Sequence, residues 1–115
     1  MMAMPKGFAT TPKPPYYAVI FTAKRTAGDH GYAVMSDRMM ALALEQKGCL
    51  GAESARNADG LGITVSYWMD EASIVAWKGE ARHLVAQQFG KDRWYEHYEL
   101  RIAKVERAYG GPEGR

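Results

Sequence analysis

The stretch LGITVSYWMDEASIVAWK, residues 61–78, decides the fold of this chain. Its first eight residues alternate between two uncharged faces as a β-strand does: Leu61, Ile63, Val65 and Tyr67 form one, and Gly62, Thr64, Ser66 and Trp68 form the other. Both faces are therefore expected to be covered. Asp70 and Glu71 then place negative charge at the start of a short amphipathic helix, which carries Trp77 on its inner side.

The two-residue alternation of a strand and the spacing of an amphipathic helix also occur on either side of this stretch. Strands are predicted over residues 16–25, 49–56 and 97–107, and a helix that Gly48 ends is predicted over residues 32–47. The turn at residues 57–60 ends in Asp-Gly, which favours an antiparallel hairpin between the second and third strands.

The helical region after the third strand is expected to be broken. Gly79 is predicted to interrupt it, with a second short helix over residues 80–89 and a further turn at residues 91–95. The element order is then β-α-β-β-α-β. This order predicts an α+β fold of the ferredoxin-like type, with a four-stranded antiparallel sheet and helices on one face. Because the open face of such a sheet would expose a large apolar patch, we predict a homodimer in which two sheets pair face to face.

Length and composition narrow the class of protein. The 115 residues predict one domain, at residues 15–109, between a flexible N-terminal arm (1–14) and a flexible tail (110–115). A net charge of +2 with scattered Lys and Arg argues against nucleic acid. No apolar run reaches the roughly 20 residues of a membrane span, and the arm lacks the apolar core of a signal peptide. With one cysteine, Cys49, the chain fits a reducing compartment, so a cytoplasmic protein is expected.

Five segments resemble the antibiotic biosynthesis monooxygenase family, in the family's order: YYAVIFTAKR (16–25), GCLGAES (48–54), ITVSYW (63–68), DEASIVAWK (70–78) and HLVAQ (83–87). The resemblance covers residues 15–109. It implies a dimeric α+β barrel with a pocket between sheet and helices in each subunit. Characterised members of the family include cofactor-independent oxygenases of electron-rich aromatic rings and haem-degrading enzymes, and many members have no known substrate.

Oxygenation without a cofactor needs an apolar cavity and a group that removes a phenolic proton. His83 is the candidate proton acceptor, because imidazole changes its charge near neutral pH; the alternative is an exposed helix histidine. Trp77 matches the family position on the pocket wall, and the alternative is a core aromatic that packs helix onto sheet. His30 is expected to be solvated, and His97 is expected to lie on a polar face.

Further pocket candidates are less specific. Tyr32, Tyr67 and Trp94 are assigned to the pocket lining, although aromatic residues at such spacings are usually core. Glu53 could act as a base if it were buried; otherwise it is a structural residue, paired at the sheet edge or at the dimer interface. Arg25 ends a strand, where its charge needs a partner or solvent.

No cofactor and no metal are expected. Metal-ligand spacings and a dinucleotide fingerprint do not occur in the sequence. The resemblance argues against haem: the haem-degrading branch has an Asn on the first strand, where this chain offers Thr22, and a further helical His, which is missing between His83 and His97. Two functions remain. One is a cofactor-independent monooxygenase of an aromatic or quinol-type small molecule, and the other is a non-catalytic small-molecule-binding or stress-associated dimer of the same fold.

Overall fold

The computed structural model describes residues 6–29, 31–84 and 94–112. Its elements follow the predicted order: β1 (Tyr16–Arg25), α1 (Tyr32–Glu45), β2 (Cys49–Arg56), β3 (Leu61–Trp68), α2 (Glu71–Leu84) and β4 (Tyr95–Val105). The four strands form one antiparallel sheet in the order β2-β3-β1-β4. The ferredoxin-like fold predicted from the sequence is therefore confirmed.

The hairpin between β2 and β3 forms at the predicted Asp-Gly turn. The Asn57 side-chain oxygen accepts hydrogen bonds from the backbone N–H groups of Asp59 and Leu61, both at 3.0 Å. Gly60 has a φ of 91°, a left-handed conformation that glycine adopts at little cost. The turn sets the register in which Ala52 lies opposite Ser66.

Several boundaries differ from the prediction. Helix α1 ends at Glu45 rather than at residue 47, and β4 ends at Val105 rather than at residue 107. Gly79 does not interrupt α2, which runs continuously from Glu71 to Leu84; a helical glycine costs only about 1 kcal/mol relative to alanine, and the packing of the helix outweighs that cost. β4 begins at Tyr95 rather than at His97. The pairing of β1 with β4 shifts its register between Lys24 and Arg25, and Tyr95 then pairs with Arg25. Residue 95 therefore belongs to a strand and not to a helical turn. The rest of the predicted helical continuation, residues 85–93, lies outside the described residues.

Helices α1 and α2 cover one face of the sheet, here called the helix face. It carries Val19 and Phe21 of β1 and Thr64, Ser66 and Trp68 of β3. The core on this face is built around Trp68, which is fully buried and packs with Val19 and Ile74. The Trp68 indole N–H donates to the Ser66 hydroxyl at 2.9 Å, so the buried ring leaves no polar atom unsatisfied.

The opposite, outer face carries Ala18 and Ile20 of β1 and Ile63, Val65 and Tyr67 of β3. The described part of the N-terminal arm, from residue 6, contacts this face through two hydrogen bonds. The Ala9 backbone N–H donates to the Glu53 carboxylate at 3.0 Å, and Thr11 and Tyr16 share a hydroxyl–hydroxyl bond, also at 3.0 Å. Elsewhere the outer face stays open: Leu61 is 44% exposed and Ile63 is 45% exposed.

Candidate functional site

A cavity of about 890 Å³ lies between the two helices and the helix face of the sheet. Its lining comes from all six elements and from the segment before β4: Val19, Phe21, Tyr32, Met35, Ser36, Met39, Met40, Ala43, Ala52, Thr64, Ser66, Trp77, Lys78, Ala81, Arg82, Trp94, Tyr95, Tyr98 and Leu100. Three methionines of α1 and several aromatic rings dominate this surface. Such a lining adapts to a flat apolar molecule, because methionine side chains are flexible and polarisable.

Trp77 joins the cavity to the core. Its ring stacks on Trp68 with the centroids 6.0 Å apart and 22° between the planes. Trp68 is buried behind it, while Trp77 is only partly buried and lines the cavity. Trp77 is therefore both a core aromatic and a residue of the cavity wall, which the sequence analysis gave as alternatives. One part of its ring packs on Trp68, and its remaining surface faces the cavity.

Aromatic side chains from two strands, β1 and β4, and from helix α1 meet at one end of the cavity. The Phe21 ring contacts Tyr95 and Tyr98, with centroid separations of 5.3 and 5.5 Å. The Tyr95 ring also meets the Tyr32 ring edge to face, at 5.8 Å and 89°. Within this cluster the hydroxyls of Tyr32 and Tyr95 are hydrogen-bonded to each other.

Two arginines converge on Tyr32. The Arg25 guanidinium carbon lies 3.6 Å from the centroid of the Tyr32 ring, and that of Arg56 lies 4.8 Å from it. Arg56 also donates a hydrogen bond to the Tyr32 hydroxyl oxygen. Its path from β2 crosses Gly62, where a Cβ would lie 3.4 Å from Nε and Nη2 of Arg56. Glycine at this position therefore leaves room for the guanidinium to reach the phenol.

The pKa values of the two phenols are shifted in opposite directions. Burial raises the pKa of Tyr32, but hydrogen bonds from Tyr95, Arg56 and Ser36 and the charge of Arg56 outweigh that effect, so its pKa is lowered. The pKa of Tyr95 is raised, mainly by burial and by its hydrogen bond to Tyr32. The Tyr95 hydroxyl keeps its proton to higher pH, so Tyr95 is the donor of this pair when Tyr32 is ionised.

The charged residues of the lining are all positive. Lys78 and Arg82 lie four residues apart on α2, which puts them on one side of the helix, and the described lining contains neither Asp nor Glu. Because no carboxylate belongs to the described lining, these two cations favour the anionic form of a bound ligand.

The structure brings together three of the five predicted pocket residues: Tyr32, Trp77 and Trp94. Glu53 and Tyr67 lie on the outer face instead. The Tyr67 hydroxyl donates to the Glu53 carboxylate at 2.6 Å, and burial together with this carboxylate raises the pKa of Tyr67. The reason for their position is the two-residue period of the strands, since Tyr67 alternates with Ser66 and Trp68, which face the helices.

The two described histidines, His83 and His97, are not part of the described cavity lining. His83 is exposed on α2 next to Arg82 and is not among the lining residues, so its role as proton acceptor stays a prediction. His97 pairs with Glu99 at 2.6 Å on the exposed surface, and His30 lies outside the described residues. In the described part of the chain, no three His, Cys, Asp or Glu side chains converge as metal ligands.

Sequence reasoning did not find the cluster around Tyr32. The alternation of β2 puts Arg56 on the helix face with Ala52 and Ser54, so the face of this arginine could have been predicted. Its contact with Tyr32 could not, because the two residues belong to different elements 24 positions apart.

Neither described helix is long and apolar enough to cross a membrane.

Comparisons with known proteins give both a relative and a fold. The chain is 50% identical over 97 residues to the uncharacterized protein YqjZ of Bacillus subtilis, and the match covers 84% of this chain and 85% of YqjZ. No protein-family model matches the chain. Among solved structures, it is similar to SnoaB, a cofactor-independent oxygenase from Streptomyces nogalater, with a TM-score of 0.65, 12% identity and coverage of 83% of this chain and 97% of SnoaB.

A protein from Nitrosomonas europaea that is assigned to the antibiotic biosynthesis monooxygenases is equally similar in structure. Its TM-score is 0.65 at 13% identity, and the match covers 78% of this chain and 89% of that chain. At such low identities the two solved structures support the fold alone. The fold of the single chain agrees with the α+β fold that the sequence resemblance implied.

Proposed function

Because the chain belongs to the same family as the Bacillus subtilis protein YqjZ and has the fold of antibiotic biosynthesis monooxygenase-type proteins, we propose that it is a cofactor-independent monooxygenase of an aromatic or quinol-type small molecule. The single observation that carries the proposal is the cavity of about 890 Å³ between helices and sheet. Its volume lies in the range of pockets that enclose drug-sized ligands, and its methionines and aromatic rings suit a flat ring system.

The charges of the cavity support an electron-rich substrate that reacts as its anion. Lys78 and Arg82 stabilise a phenolate-type anion, and the described lining has no carboxylate to oppose them. Such an anion can transfer an electron to O2, whereas the neutral phenol is a much weaker reductant. The protein then contributes deprotonation, positioning and exclusion of water.

The overall reaction balances without an external reductant. An anthracenone-type CH2 group and O2 give a carbonyl group and water: a new carbon–oxygen bond takes one oxygen atom, and the other leaves with the two hydrogens of the carbon. All four electrons that reduce O2 come from the substrate. This stoichiometry fits a site in which no prosthetic group takes part.

The proposal includes a homodimer formed through the outer face. Leu61 and Ile63 are each more than two-fifths exposed there, beside the half-buried Ile20 and Val65. A second copy of the sheet would remove this apolar surface from water, which stabilises the pair at roughly 25 cal/mol per Å² of apolar area. The cavity lies on the other side of the sheet, so pairing leaves it accessible.

Oxygen uptake with a panel of hydroxylated anthracenones and quinols tests the proposal. We expect the purified protein to consume O2 with at least one member and to form the ketone or quinone product. Ala81→Trp, which fills the cavity from α2, should abolish uptake, whereas Ala76→Trp on the exposed side of the same helix should not. Uptake that is insensitive to Ala81→Trp would place the chemistry elsewhere.

The competing function is binding without turnover. It is favoured by the small number of acid–base groups in the described lining, where Tyr32, Tyr95, Tyr98 and Lys78 are the titratable candidates besides Arg82. A panel member that raises the melting temperature without forming a product would support this function and contradict the monooxygenase.

A further inference from the structure

We infer that the hydroxyl oxygen of Tyr32 is the group that accepts the phenolic proton of the substrate, with Arg56 and Tyr95 as the residues that hold it in its accepting state. This inference rests on the proposed function, since it names the acid–base group of the same cavity. Its residues come from three elements: Tyr32 is the first residue of α1, Arg56 ends β2, and Tyr95 begins β4.

The direction of the hydrogen bonds makes Tyr32 an acceptor. Arg56 can only donate, because a guanidinium has no acceptor atom, and it donates to the Tyr32 oxygen. Tyr95 and Ser36 place two further hydroxyls against the same oxygen. An oxygen that receives several donors is stabilised in its ionised form, which is the form that takes a proton.

The charged groups around Tyr32 act in the same sense. Arg25 of β1 lies against the ring face and Arg56 of β2 against its hydroxyl, so two cations flank one phenol. The nearest described carboxylate in sequence is that of Asp29, in the loop before α1. It accepts hydrogen bonds from the backbone N–H groups of Gly31 and Ala33, at 3.0 and 3.1 Å, so its charge is engaged with the backbone at the start of α1.

The proton-transfer step is simple to balance. The substrate O–H bond breaks, an O–H bond forms on the Tyr32 oxygen, and the electron pair of the broken bond stays on the substrate as a phenolate. No oxidant is needed for this step. Lys78 and Arg82 line the cavity beside the new anion. After the proposed oxygenation the proton returns from Tyr32 to the phenolate oxygen of the product, and the water that is formed carries the two hydrogens of the oxidised carbon.

A ligand-free measurement tests the acidity that the inference requires. In an alkaline titration followed by tyrosinate absorbance, we expect one tyrosine of the wild-type protein to ionise before the others. Tyr32→Phe should remove this early step, and Tyr109→Phe, which deletes an exposed phenol outside the cavity, should retain it. An early step that survives Tyr32→Phe, or no early step at all, would overturn the inference.

Binding of dithranol, a dihydroxyanthrone, under anaerobic conditions tests the transfer itself. The wild-type protein should bind dithranol as its coloured anion at a pH where free dithranol is neutral. Tyr32→Phe should bind the neutral form, and Tyr109→Phe should bind the anion. Anion formation that is unchanged in Tyr32→Phe would show that another group takes the proton.

The two proposals fail separately. Anion formation that depends on Tyr32, without O2 uptake after air is admitted, would contradict the monooxygenase and leave Tyr32 as the acceptor. O2 uptake with equal rates in wild type and Tyr32→Phe would contradict the role of Tyr32 alone.

If the inference holds, Tyr32→Phe lowers kcat by about 10²-fold or more, as the loss of a general base does, and its rate rises with pH as the substrate ionises unaided. If dithranol does not bind, the titration alone decides the role of Tyr32.

Discussion

Trp77 stacks on Trp68 with 6.0 Å between the ring centroids, so a wall of the cavity is also a part of the core. We expect Trp77→Ala to lower the free energy of unfolding by about 3 kcal/mol, since it removes a large ring and leaves Trp68 beside a void. Urea denaturation measures this change. Val75→Ala, at a 72% exposed position of the same helix, should change stability by less than about 0.5 kcal/mol. Equal effects of the two variants would mean that Trp77 does not support the core.

Arg56 controls the acidity of Tyr32. Arg56→Met removes both a hydrogen-bond donor and a positive charge, so the pKa of Tyr32 should rise and its tyrosinate absorbance should develop at higher pH. Arg56→Lys, which keeps the charge, should give a smaller shift. Arg101→Met is the control, because Arg101 pairs with Ile20 and lies on the outer face. The same shift in Arg101→Met would indicate a general effect of net charge rather than the contact.

Tyr67 makes stability depend on pH at the alkaline end. Burial and Glu53 raise its pKa above the ordinary 10.0, so the neutral phenol stabilises the fold below about pH 10, and this stabilisation is lost as the pH rises further. Tyr95 contributes with the same sign, and Tyr32, whose pKa is lowered, contributes with the opposite sign. Tyr67→Phe should therefore flatten the fall of unfolding free energy above pH 10 without removing it. An unchanged slope would exclude Tyr67 as its source.

The outer face should carry the homodimer contact. Light scattering at micromolar concentration should give twice the mass of one chain, and Ile63→Glu should give the mass of one chain, since it introduces a charge into the apolar surface. Val75→Glu on α2 should remain dimeric. A wild-type protein that is monomeric under these conditions would contradict the proposed assembly.

His83 and Tyr32 make different predictions for catalysis. If Tyr32 accepts the proton, His83→Ala should keep kcat within about two-fold, because the imidazole is exposed and lies outside the described lining. A general base would show a loss of about 10²-fold or more. Oxygen-uptake rates of His83→Ala and Tyr32→Phe, measured side by side, decide between the two residues.

Local patterns in the sequence predict most of the fold. The two-residue alternation of residues 61–68 and the Asp-Gly turn at Gly60 concern neighbours along the chain, and the structure has both as predicted. The predicted break of the helix at Gly79 is wrong, because the low helix propensity of one residue is a small effect compared with the packing of the whole helix. The start of β4 at Tyr95 depends on its pairing with Arg25, which is a partner that local sequence does not reveal.

The same distinction between neighbouring and distant residues applies to the candidate site. The family pattern assigns Trp77 to the cavity, whereas Tyr32 and Trp94 are assigned to it only as aromatic residues that could form its lining. Glu53 and Tyr67 were placed with them, although their strand positions put them on the other face. Arg56 was missed because the acidity of Tyr32 depends on contacts between residues that are distant in sequence.

The carboxylate of Glu53 accepts one hydrogen bond from Ala9 and another from Tyr67, so it ties the start of the chain to the middle of the sheet. A shortened protein that began at Tyr16 would lose the first of these bonds and would expose Gly51, against which Ala9 now lies. Without the arm, such a protein would present a larger open area of the outer face to a second copy. Assembly is therefore best measured on a polypeptide that retains its first fifteen residues.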